Sequence, residues 1–358
     1  MKVLTLLGTR PEIIRLSCVV ERLDALCDHV LVHTGQNYEP ALSDVFFEQL
    51  GVRAPDHSLG VRAGTFGERV GRILAATEAV LRAERPDRLL VLGDTDSGLA
   101  TIVAKRMGAR TFHMEAGNRC FDDRVPEEVN RRVIDHASDV LMPYTERSRA
   151  NLLREGIGPD RVLVTGNPIK EVLDRHAAGV ARSTVLADLG LDAHGYLLVT
   201  THRQETVDVP ARLARLVEAV NVVAAKLGMP TVVSLHPRAR ARLAEAGLAF
   251  DTAGITVHEP FDFFDFVHLE QHARCVLTDS GTVQEECCLF GVPVVTLRGT
   301  TERPETVECG SNVLAGVEPD AVLRCANIAL SSPPRWSPPP EYLVPDVSAT
   351  VAKIVLGR

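Results

Sequence analysis

Short apolar runs alternate with amphipathic helical segments along the first half of the chain. Strand followed by helix, repeated several times, is typical of a doubly wound parallel sheet with helices on both faces. The apolar runs predict strands at residues 3–7, 29–34, 89–93, 110–114, 140–143 and 162–165. Helical spacing of apolar residues predicts helices at residues 11–26, 65–83 and 98–107.

The same alternation returns in the second half. Strands are predicted at residues 197–201, 231–235, 255–258, 275–278 and 293–297, and helices at 209–227, 237–246, 261–272 and 282–290. The pattern therefore predicts an α/β fold with two Rossmann-like sheets in tandem. Ligands of such sheets bind beyond the carboxyl ends of the strands, so we expect one site in the cleft between two domains.

Turn residues indicate where the domains meet. Gly166-Asn167-Pro168 predicts a boundary, which gives an N-terminal domain of residues 1–167 and a C-terminal domain of residues 168–345. The Pro-rich segment 332–340 marks a second crossing between them. Residues 346–358 then predict a closing amphipathic helix, which we expect to join the N-terminal domain.

Composition narrows the range of functions. The 358 residues carry a formal net charge of −8 and no block of Lys or Arg, which argues against nucleic acid and anionic membranes as partners. The first apolar run is short and broken by Gly and Arg, and no run reaches about 18 residues, so we expect a cytoplasmic protein without a signal peptide. The eight cysteines lack a C-x-x-C pair, which predicts neither a zinc site nor a disulfide framework.

A strand, a tight turn and a helix start follow one another at residues 275–290. Asp279-Ser280-Gly281 forms the turn, where small residues allow a ligand to approach the backbone and the helix start favours an anion. We predict that Ser280, Gly281 and Thr282 hold a diphosphate. Glu286, one helical turn further on, can accept hydrogen bonds from a ribose diol. Taken alone, Ser-Gly before a helix is more often an N-cap than a ligand site.

Polar residues also follow several strands of the first half. Arg10 lies in the loop after the first strand, beside a Pro that suits a helix start, and can reach an anion. Asp94 and Glu115 each follow a strand and Glu127 opens a helix, so three carboxylates can surround one substrate. For Asp94 and Glu127 the alternative is a helix N-cap or a first-turn acid. Glu115 closes an apolar strand and is harder to explain in that way.

The second half supplies further candidates, each with a structural alternative. His202 ends a strand, where a lone His is more often a structural residue. His236 can contact a substrate or simply form the turn before a helix. Arg303 can close over a sugar or pair with the preceding Glu. The aromatic cluster at residues 261–266 is mainly core by its spacing, although one ring, such as Phe266, can border a nucleobase.

Nine motifs occur in order between residue 3 and about residue 315: GTRPE, GDT, H-x-EAG, PEE-x-NRR, TERSR-x-NLLREG, VTGNP, T-x-HR, TDSG-x-x-QEE and TTERPE. Together they resemble the non-hydrolysing UDP-N-acetylglucosamine 2-epimerases, which have a two-domain glycosyltransferase-B-like fold. Members eliminate UDP across C1–C2 of the sugar to leave a glycal, and then add it back with C2 inverted.

The resemblance implies roles for the candidate residues. It implies catalytic roles for Asp94, Glu115, Glu127 and His202. It further implies that Arg10, Ser280 and Gly281 contact UDP and that Glu286 binds the ribose. His236 and Arg303 fall in motifs that line the cleft. The expected substrate is UDP-N-acetylglucosamine, converted to UDP-N-acetylmannosamine, or a close analogue.

The three acids Asp94, Glu115 and Glu127 suit a reaction that inverts C2. A proton must leave one face of C2 and arrive at the other, so at least two acid–base groups must flank that carbon. Asp94, Glu115 and Glu127 provide them, and we assign His202 to the phosphate side as a cationic donor. We expect that no metal or other cofactor is required, and that the enzyme is a homodimer.

Three features depart from the commonest members. Residues 34–39, TGQNYE, replace the usual T-A-Q-H-R-E, which serves an allosteric second UDP-N-acetylglucosamine, so we expect no allosteric activation. Residues 115–128 form a shorter loop and resemble the branch that makes UDP-N-acetyl-L-fucosamine from a 6-deoxy-talose sugar. Thr282 replaces a Gly.

Three alternatives to the expected reaction stay open. They are epimerisation of the 6-deoxy-talose sugar or of UDP-glucose, a glycosyltransferase, and a sugar-nucleotide-binding regulator.

Overall fold

The computed structural model describes residues 1–36, 40–331 and 333–357. The chain divides into two compact units: unit 1 comprises Met1–His176 and Pro340–Arg358, and unit 2 comprises Ala177–Pro339. Within the described residues, each unit holds a six-stranded sheet whose paired strands are parallel. The predicted α/β class with two Rossmann-like sheets is therefore confirmed.

The sheet of unit 1 has the strand order β3-β2-β1-β4-β5-β6. Its strands are β1 (Lys2–Leu7), β2 (Asp28–His33), β3 (His57–Ser58), β4 (Arg88–Leu92), β5 (Arg110–Met114) and β6 (Val140–Met142). Its helices are α1 (Arg10–Leu26), α2 (Pro40–Gln49), α3 (Phe66–Glu84), α4 (Thr101–Arg106), α5 (Pro126–Ala137), α6 (Glu146–Arg154) and α7 (Ile169–Val180), whose last residues belong to unit 2. Short 3₁₀ helices occupy Asp96–Ala100, Pro159–Arg161 and Pro340–Leu343.

The sheet of unit 2 has the order β12-β11-β10-β7-β8-β9. Its strands are β7 (Leu197–Thr201), β8 (Thr231–Leu235), β9 (Ile255–His258), β10 (Cys275–Thr278), β11 (Val294–Thr296) and β12 (Asn312–Leu314). Its helices are α8 (Val185–Asp188), α9 (Gln204–Val207), α10 (Pro210–Leu227), α11 (Pro237–Ala246), α12 (Phe263–His272), α13 (Gly281–Phe290), α14 (Pro304–Glu308) and α15 (Pro319–Leu330).

The continuous apolar runs of the central strands are explained by burial on both faces of each sheet. At β7, Leu197 and Val199 belong to one buried cluster, while Leu198 and Tyr196, the residue just before the strand, belong to another. Because successive side chains of a strand point to opposite faces, the two clusters lie on the two sides of the sheet. This packing fixes the register and so fixes where each strand ends.

The C-terminal segment forms α16 (Val347–Gly357), which packs against α1 in unit 1. Arg22 of α1 donates from Nε to the Ser348 hydroxyl at 2.9 Å, and the Ser348 N–H donates to Glu171 at 2.8 Å. Val351 and Val355 are fully buried beneath these contacts. Across the described residues, no helix has both the length and the apolar character needed to cross a membrane.

One predicted strand is wrong. Residues 162–165 do not form a strand of the sheet; Val162 makes an isolated parallel bridge to Leu141. Val162 is buried all the same, because it packs in a small cluster with Leu141 and Leu152, whereas Leu163 and Val164 are only half-buried. An apolar run indicates buried side chains, and here Val162 is buried without pairing in the sheet.

Candidate active site

Two of the predicted carboxylates follow neighbouring strands at the carboxyl edge of the unit 1 sheet. β4 and β5 pair in parallel with Leu92 opposite Met114, so Asp94 and Glu115 come close to each other. Glu115 has a φ of +64°, in the left-handed region that non-glycine residues seldom adopt. Such strain costs about 1–3 kcal/mol and is concentrated at functional sites. The backbone thus supports a functional role for Glu115.

A buried arginine holds each of these carboxylates. Arg15 of α1, whose side chain is 1% exposed, donates from Nη1 to Glu115 Oε2 at 2.6 Å. Arg131 of α5 donates from Nε to Asp94 Oδ2 at 3.0 Å and from Nη2 to the same oxygen. Asn118 completes the group by donating to Glu115 Oε1 at 3.2 Å. Both acids are therefore fixed in place by charged hydrogen bonds.

The start of α5 carries two adjacent acids with different environments. Glu127 is half-buried in the first turn, a position that suits both the predicted site residue and the alternative of a first-turn acid. Glu128 is fully buried and accepts the N–H groups of Cys120 and Phe121 at 3.0 and 3.1 Å. Burial alone would raise the pKa of Glu128, but these donors and the Arg131 charge outweigh it and bring the pKa below its ordinary value. Glu128 therefore fixes the loop that precedes α5.

A further buried acid, Glu12, joins the Arg10 loop to the Asp94 loop. Its Oε2 accepts the N–H groups of Gly8 and Thr9 at 3.0 and 2.8 Å, and its Oε1 accepts the Thr95 hydroxyl at 3.1 Å. Burial raises the pKa of Glu12 to about 7, although these hydrogen bonds act in the opposite direction. The guanidinium of Arg10 itself lies 5.6 Å from the centre of the Phe46 ring.

In unit 2, the T-x-HR and TDSG motifs follow two paired strands, with Thr200 of β7 opposite Thr278 of β10. Asp279, which is fully buried, accepts the Thr201 hydroxyl at 2.7 Å and the Arg203 N–H at 2.9 Å. Its Oδ1 also lies 3.3 Å from Nδ1 of His202. Asp279 is predicted from the sequence only as a turn residue, whereas in the structure it is the residue that orients His202.

The predicted diphosphate turn forms the start of α13. Ser280 is the N-cap residue, but its side chain makes no capping hydrogen bond, so the simple N-cap interpretation is not supported. A Cβ atom added at Gly281 would lie 3.7 Å from Cζ of Arg303. The helix start, with its partial positive charge, and a guanidinium are therefore side by side. Thr282 is half-buried in the first turn of α13.

Arg303 and the preceding Glu302 each have a charged partner elsewhere in unit 2. Arg303 donates from Nε to Glu285 of α13, and Glu302 accepts from Arg298 at 2.8 and 3.0 Å. Arg303 also donates from Nη1 to the main-chain carbonyl of Glu302 at 3.3 Å, so the two residues contact each other as well. Glu285 keeps the guanidinium of Arg303 against the start of α13.

Glu286 and Glu270 form a buried acid pair in unit 2. Glu286 of α13 is 4% exposed and Glu270 of α12 is fully buried. Burial, followed by the negative charge of Glu286, raises the pKa of Glu270 well above its ordinary value. A protonated Glu270 can donate a hydrogen bond to the Glu286 carboxylate, and Glu286 then stays an anionic acceptor, which is the stronger acceptor for a ribose diol.

Two further predicted residues have visible structural roles. The Nδ1 atom of His236 accepts the Arg238 N–H at 3.3 Å and caps α11. Phe266 packs against the buried cluster that contains Tyr196 and Val276. Their contacts to a ligand stay predictions. Asn37 and Tyr38, on which the allosteric prediction rests, lie outside the described residues.

In the part of the chain that the structure describes, no group of three or more His, Cys, Asp or Glu side chains is arranged to hold a metal ion.

Comparison with known proteins identifies the family. The profile described as UDP-N-acetylglucosamine 2-epimerase matches residues 22–356. The UDP-N-acetylglucosamine 2-epimerase of Methanocaldococcus jannaschii is 38% identical over 95% of both chains. The UDP-2,3-diacetamido-2,3-dideoxy-D-glucuronate 2-epimerase of Pseudomonas aeruginosa is also 38% identical, over 92% of both chains.

A solved structure agrees with the sequence comparison. The crystal structure of the Methanocaldococcus jannaschii UDP-GlcNAc 2-epimerase, in complex with UDP-GlcNAc and UDP, superposes with a TM-score of 0.95 at 36% identity and covers the whole of both chains. The match extends over both sheets and confirms the predicted fold class. The chain belongs to the UDP-N-acetylglucosamine 2-epimerase family.

Proposed function

We propose that the chain epimerises C2 of a UDP-2-acetamido-hexose without hydrolysis, with UDP-N-acetylglucosamine and UDP-N-acetylmannosamine, or close analogues, as substrate and product. The observation that carries the proposal is a set of three acidic residues in unit 1. Asp94 and Glu115 are each held by a buried arginine, and Glu127 lies on the adjoining helix α5. A binding protein or a glycosyltransferase does not need three acids at one sheet edge.

The proposed reaction has two halves. In the first, a carboxylate takes the proton from C2, the C–H electron pair forms the C1=C2 bond, and UDP departs with the electrons of the C1–O bond. In the second, a UDP oxygen attacks C1 of the glycal and a carboxylic acid delivers a proton to the opposite face of C2. Asp94, Glu115 and Glu127 are the acid–base candidates.

Departure of UDP places negative charge on the diphosphate, which must be stabilised. We assign this task to the start of α13, where Ser280, Gly281 and Thr282 meet the partial positive charge of the helix. His202, oriented by Asp279, donates to the leaving oxygen or to the phosphate. Glu286 binds the ribose. Arg10 at the start of α1 provides further positive charge.

A wider choice of sugar is supported by one comparison. The Pseudomonas aeruginosa relative acts, by its name, on a diacetamido glucuronate and is as similar as the first relative. The short loop at residues 115–128 also resembles the branch that acts on a 6-deoxy sugar. The panel of substrates should therefore include UDP-hexoses with acetamido, 6-deoxy and uronate groups, and UDP-glucose.

The function is tested by incubating the protein with each UDP-sugar in D₂O, without an acceptor, and following C2 by proton NMR. We expect an epimerised product with deuterium at C2, because a proton held by a carboxylate in contact with water exchanges before it is returned. Retention of the original hydrogen would contradict the mechanism. An absence of turnover across the whole panel would contradict the function.

The site is tested by replacing each acid with its amide. Asp94→Asn, Glu115→Gln and Glu127→Gln should each lower the rate by about 10²–10⁴-fold, the usual contribution of a positioned acid or base. Glu78→Gln on α3, which removes a surface pair with Arg82, is the matched control and should keep the wild-type rate. If all three site variants turn over at nearly the control rate, these carboxylates have only structural roles.

A further inference from the structure

Beneath the carboxylate group lies a buried histidine that the proposed mechanism does not use. His113 of β5 is completely buried, two residues before Glu115. Its Nδ1 lies 2.9 Å from Asp135 Oδ1, and its Nε2 lies 2.8 Å from the carbonyl oxygen of Gly93. Both partners are on other elements: Gly93 follows β4, and Asp135 is on α5.

We propose that His113 is a doubly protonated imidazolium and acts as the positioning residue that holds the loops of Asp94 and Glu115 against α5. A neutral imidazole has one N–H and one lone pair. A carbonyl oxygen has no proton to donate, and neither has a carboxylate. Two hydrogen bonds with such acceptors therefore require that both ring nitrogens carry a proton.

The charges around the ring match this assignment. Arg119 contacts Asp135 Oδ2 at 2.7 Å and Glu155 Oε2 at 2.6 Å, and the Gly117 N–H donates to Asp135 at 3.2 Å. Burial alone would raise the pKa of Asp135, but His113 and Arg119 outweigh it and bring the pKa below its ordinary value. Asp135 is thus an anion, and with Glu155 it balances the two cations in a buried network.

The network joins the three places from which the acids project. The carbonyl of Gly93 immediately precedes Asp94, and His113 lies on the strand that ends before Glu115. Asp135 lies about two turns along α5 from Glu127. A neutral ring would leave a lone pair facing an oxygen and would release one of these links. A buried polar group without its partner costs about 1–3 kcal/mol, enough to favour displacement of a loop.

The protonation state is tested on the wild-type protein, independently of any activity. Histidine labelled with ¹⁵N is observed by NMR well above neutral pH, and the ring is assigned by nuclear Overhauser contacts from Nε2–H to Gly93 and Asp94. We expect one ring to keep both N–H signals under these conditions, next to those residues. If no ring does, or if the ring beside Gly93 has a single N–H, the proposal is overturned.

The positioning role, which rests on the proposed function, is tested with His113→Asn. Its side-chain N–H₂ can satisfy one acceptor but cannot span both. Because a small misplacement of reacting groups can cost about 10²-fold, we expect kcat to fall by about that factor while KM stays within about threefold. His136→Asn, at an exposed position of α5, the helix that carries Asp135, is the control.

The kinetic outcomes separate positioning from simple stability. Loss of folded protein in His113→Asn would lower the apparent kcat in proportion to the unfolded fraction, which circular dichroism measures. The fall of about 10²-fold is expected in the kcat calculated per folded molecule. Equal kcat in His113→Asn and His136→Asn would overturn the positioning role. If His113→Asn does not fold, Asp135→Asn replaces it, with the same expected loss of kcat and the same contrary result.

Discussion

Replacing Glu12 with Gln should stabilise the protein at alkaline pH and remove a pH dependence of its stability. Glu12 is 2% exposed, and burial raises its pKa to about 7 from an ordinary value of 4.5. Between those two pH values the folded chain holds a proton on Glu12 that the unfolded chain has already released. Stability therefore falls as the pH rises through this window, and it stays lower above about pH 7.

The size of the effect follows from the same two values. A difference of about 2.5 pH units, at 1.36 kcal/mol per unit, corresponds to about 3 kcal/mol in the free energy of unfolding. Glutamine reproduces the protonated acid well at this position. Its carbonyl oxygen can accept the N–H groups of Gly8 and Thr9, and its N–H₂ can donate to the Thr95 oxygen, which reverses the direction of the hydrogen bond that the carboxylate accepts from Thr95.

The measurement is urea unfolding of wild type and Glu12→Gln at several pH values between 4.5 and 8.5. The two proteins should have similar stability at the acid end. Above pH 7 the variant should be more stable by up to about 3 kcal/mol. A variant that is less stable than wild type at pH 8, or that declines as steeply between pH 4.5 and 7, would refute the reasoning.

Glu128→Gln is the matched control with the opposite sign. Its pKa is lowered, so the ionised form stabilises the fold at neutral pH and that stability is lost as the pH falls through the folded-state pKa. The amide should therefore destabilise the protein at neutral pH by about 1.5–3 kcal/mol, since it removes one of the two carboxylate partners of the buried Arg131 and leaves Asp94 as the other. Equal effects of the two amides would mean that burial and local donors do not control these acids.

Two other predictions follow from close contacts. Asp279→Asn should lower kcat about tenfold or more, because it disturbs hydrogen bonds worth about 1.5–3 kcal/mol that orient His202. The same change in a His202→Gln background should lower kcat much less, and additive effects of the two substitutions would contradict the pairing. Gly117→Ala should destabilise by more than about 2 kcal/mol, since its Cβ would lie 2.3 Å from Ser148 O and φ is +80°. Gly108→Ala, with φ of +87° and no atom within 4 Å, is its control and should cost about 1 kcal/mol in thermal unfolding.

The central strands could be predicted because burial on both faces of a sheet gives long apolar runs. β1, β4, β7 and β10 follow this rule and were found from the sequence. The two-residue β3 (His57–Ser58) and the three-residue β12 (Asn312–Leu314) were missed, because their polar residues leave no apolar run to recognise. The equally short β6 and β11 are found because each lies within an apolar run. The domain bounds at residues 167 and 346, the cytoplasmic location and the homodimer stay predictions.

The site was only partly predictable, for a related reason. Position at a strand end identified Asp94 and Glu115, since that rule depends on local sequence. The partners that hold them come from distant parts of the chain: Arg15 and Glu115 are separated by 100 residues, and His113 and Asp135 by 22. No local pattern states which arginine will meet which acid. Only the folded sheet brings these pairs together.

The arginine–carboxylate pairs of unit 1 also determine which part of the substrate the acids Asp94, Glu115 and Glu127 can bind. Arg15 and Arg131 are buried, and each is engaged by an acid, so neither is a freely available cation for a diphosphate. A group of acids whose charge is largely balanced suits an uncharged sugar ring and proton transfer at carbon. The start of α13, by contrast, has a positive end that no acid of its first turn offsets. Under the proposed function, the diphosphate therefore belongs with α13, and the proton chemistry belongs with Asp94, Glu115 and Glu127.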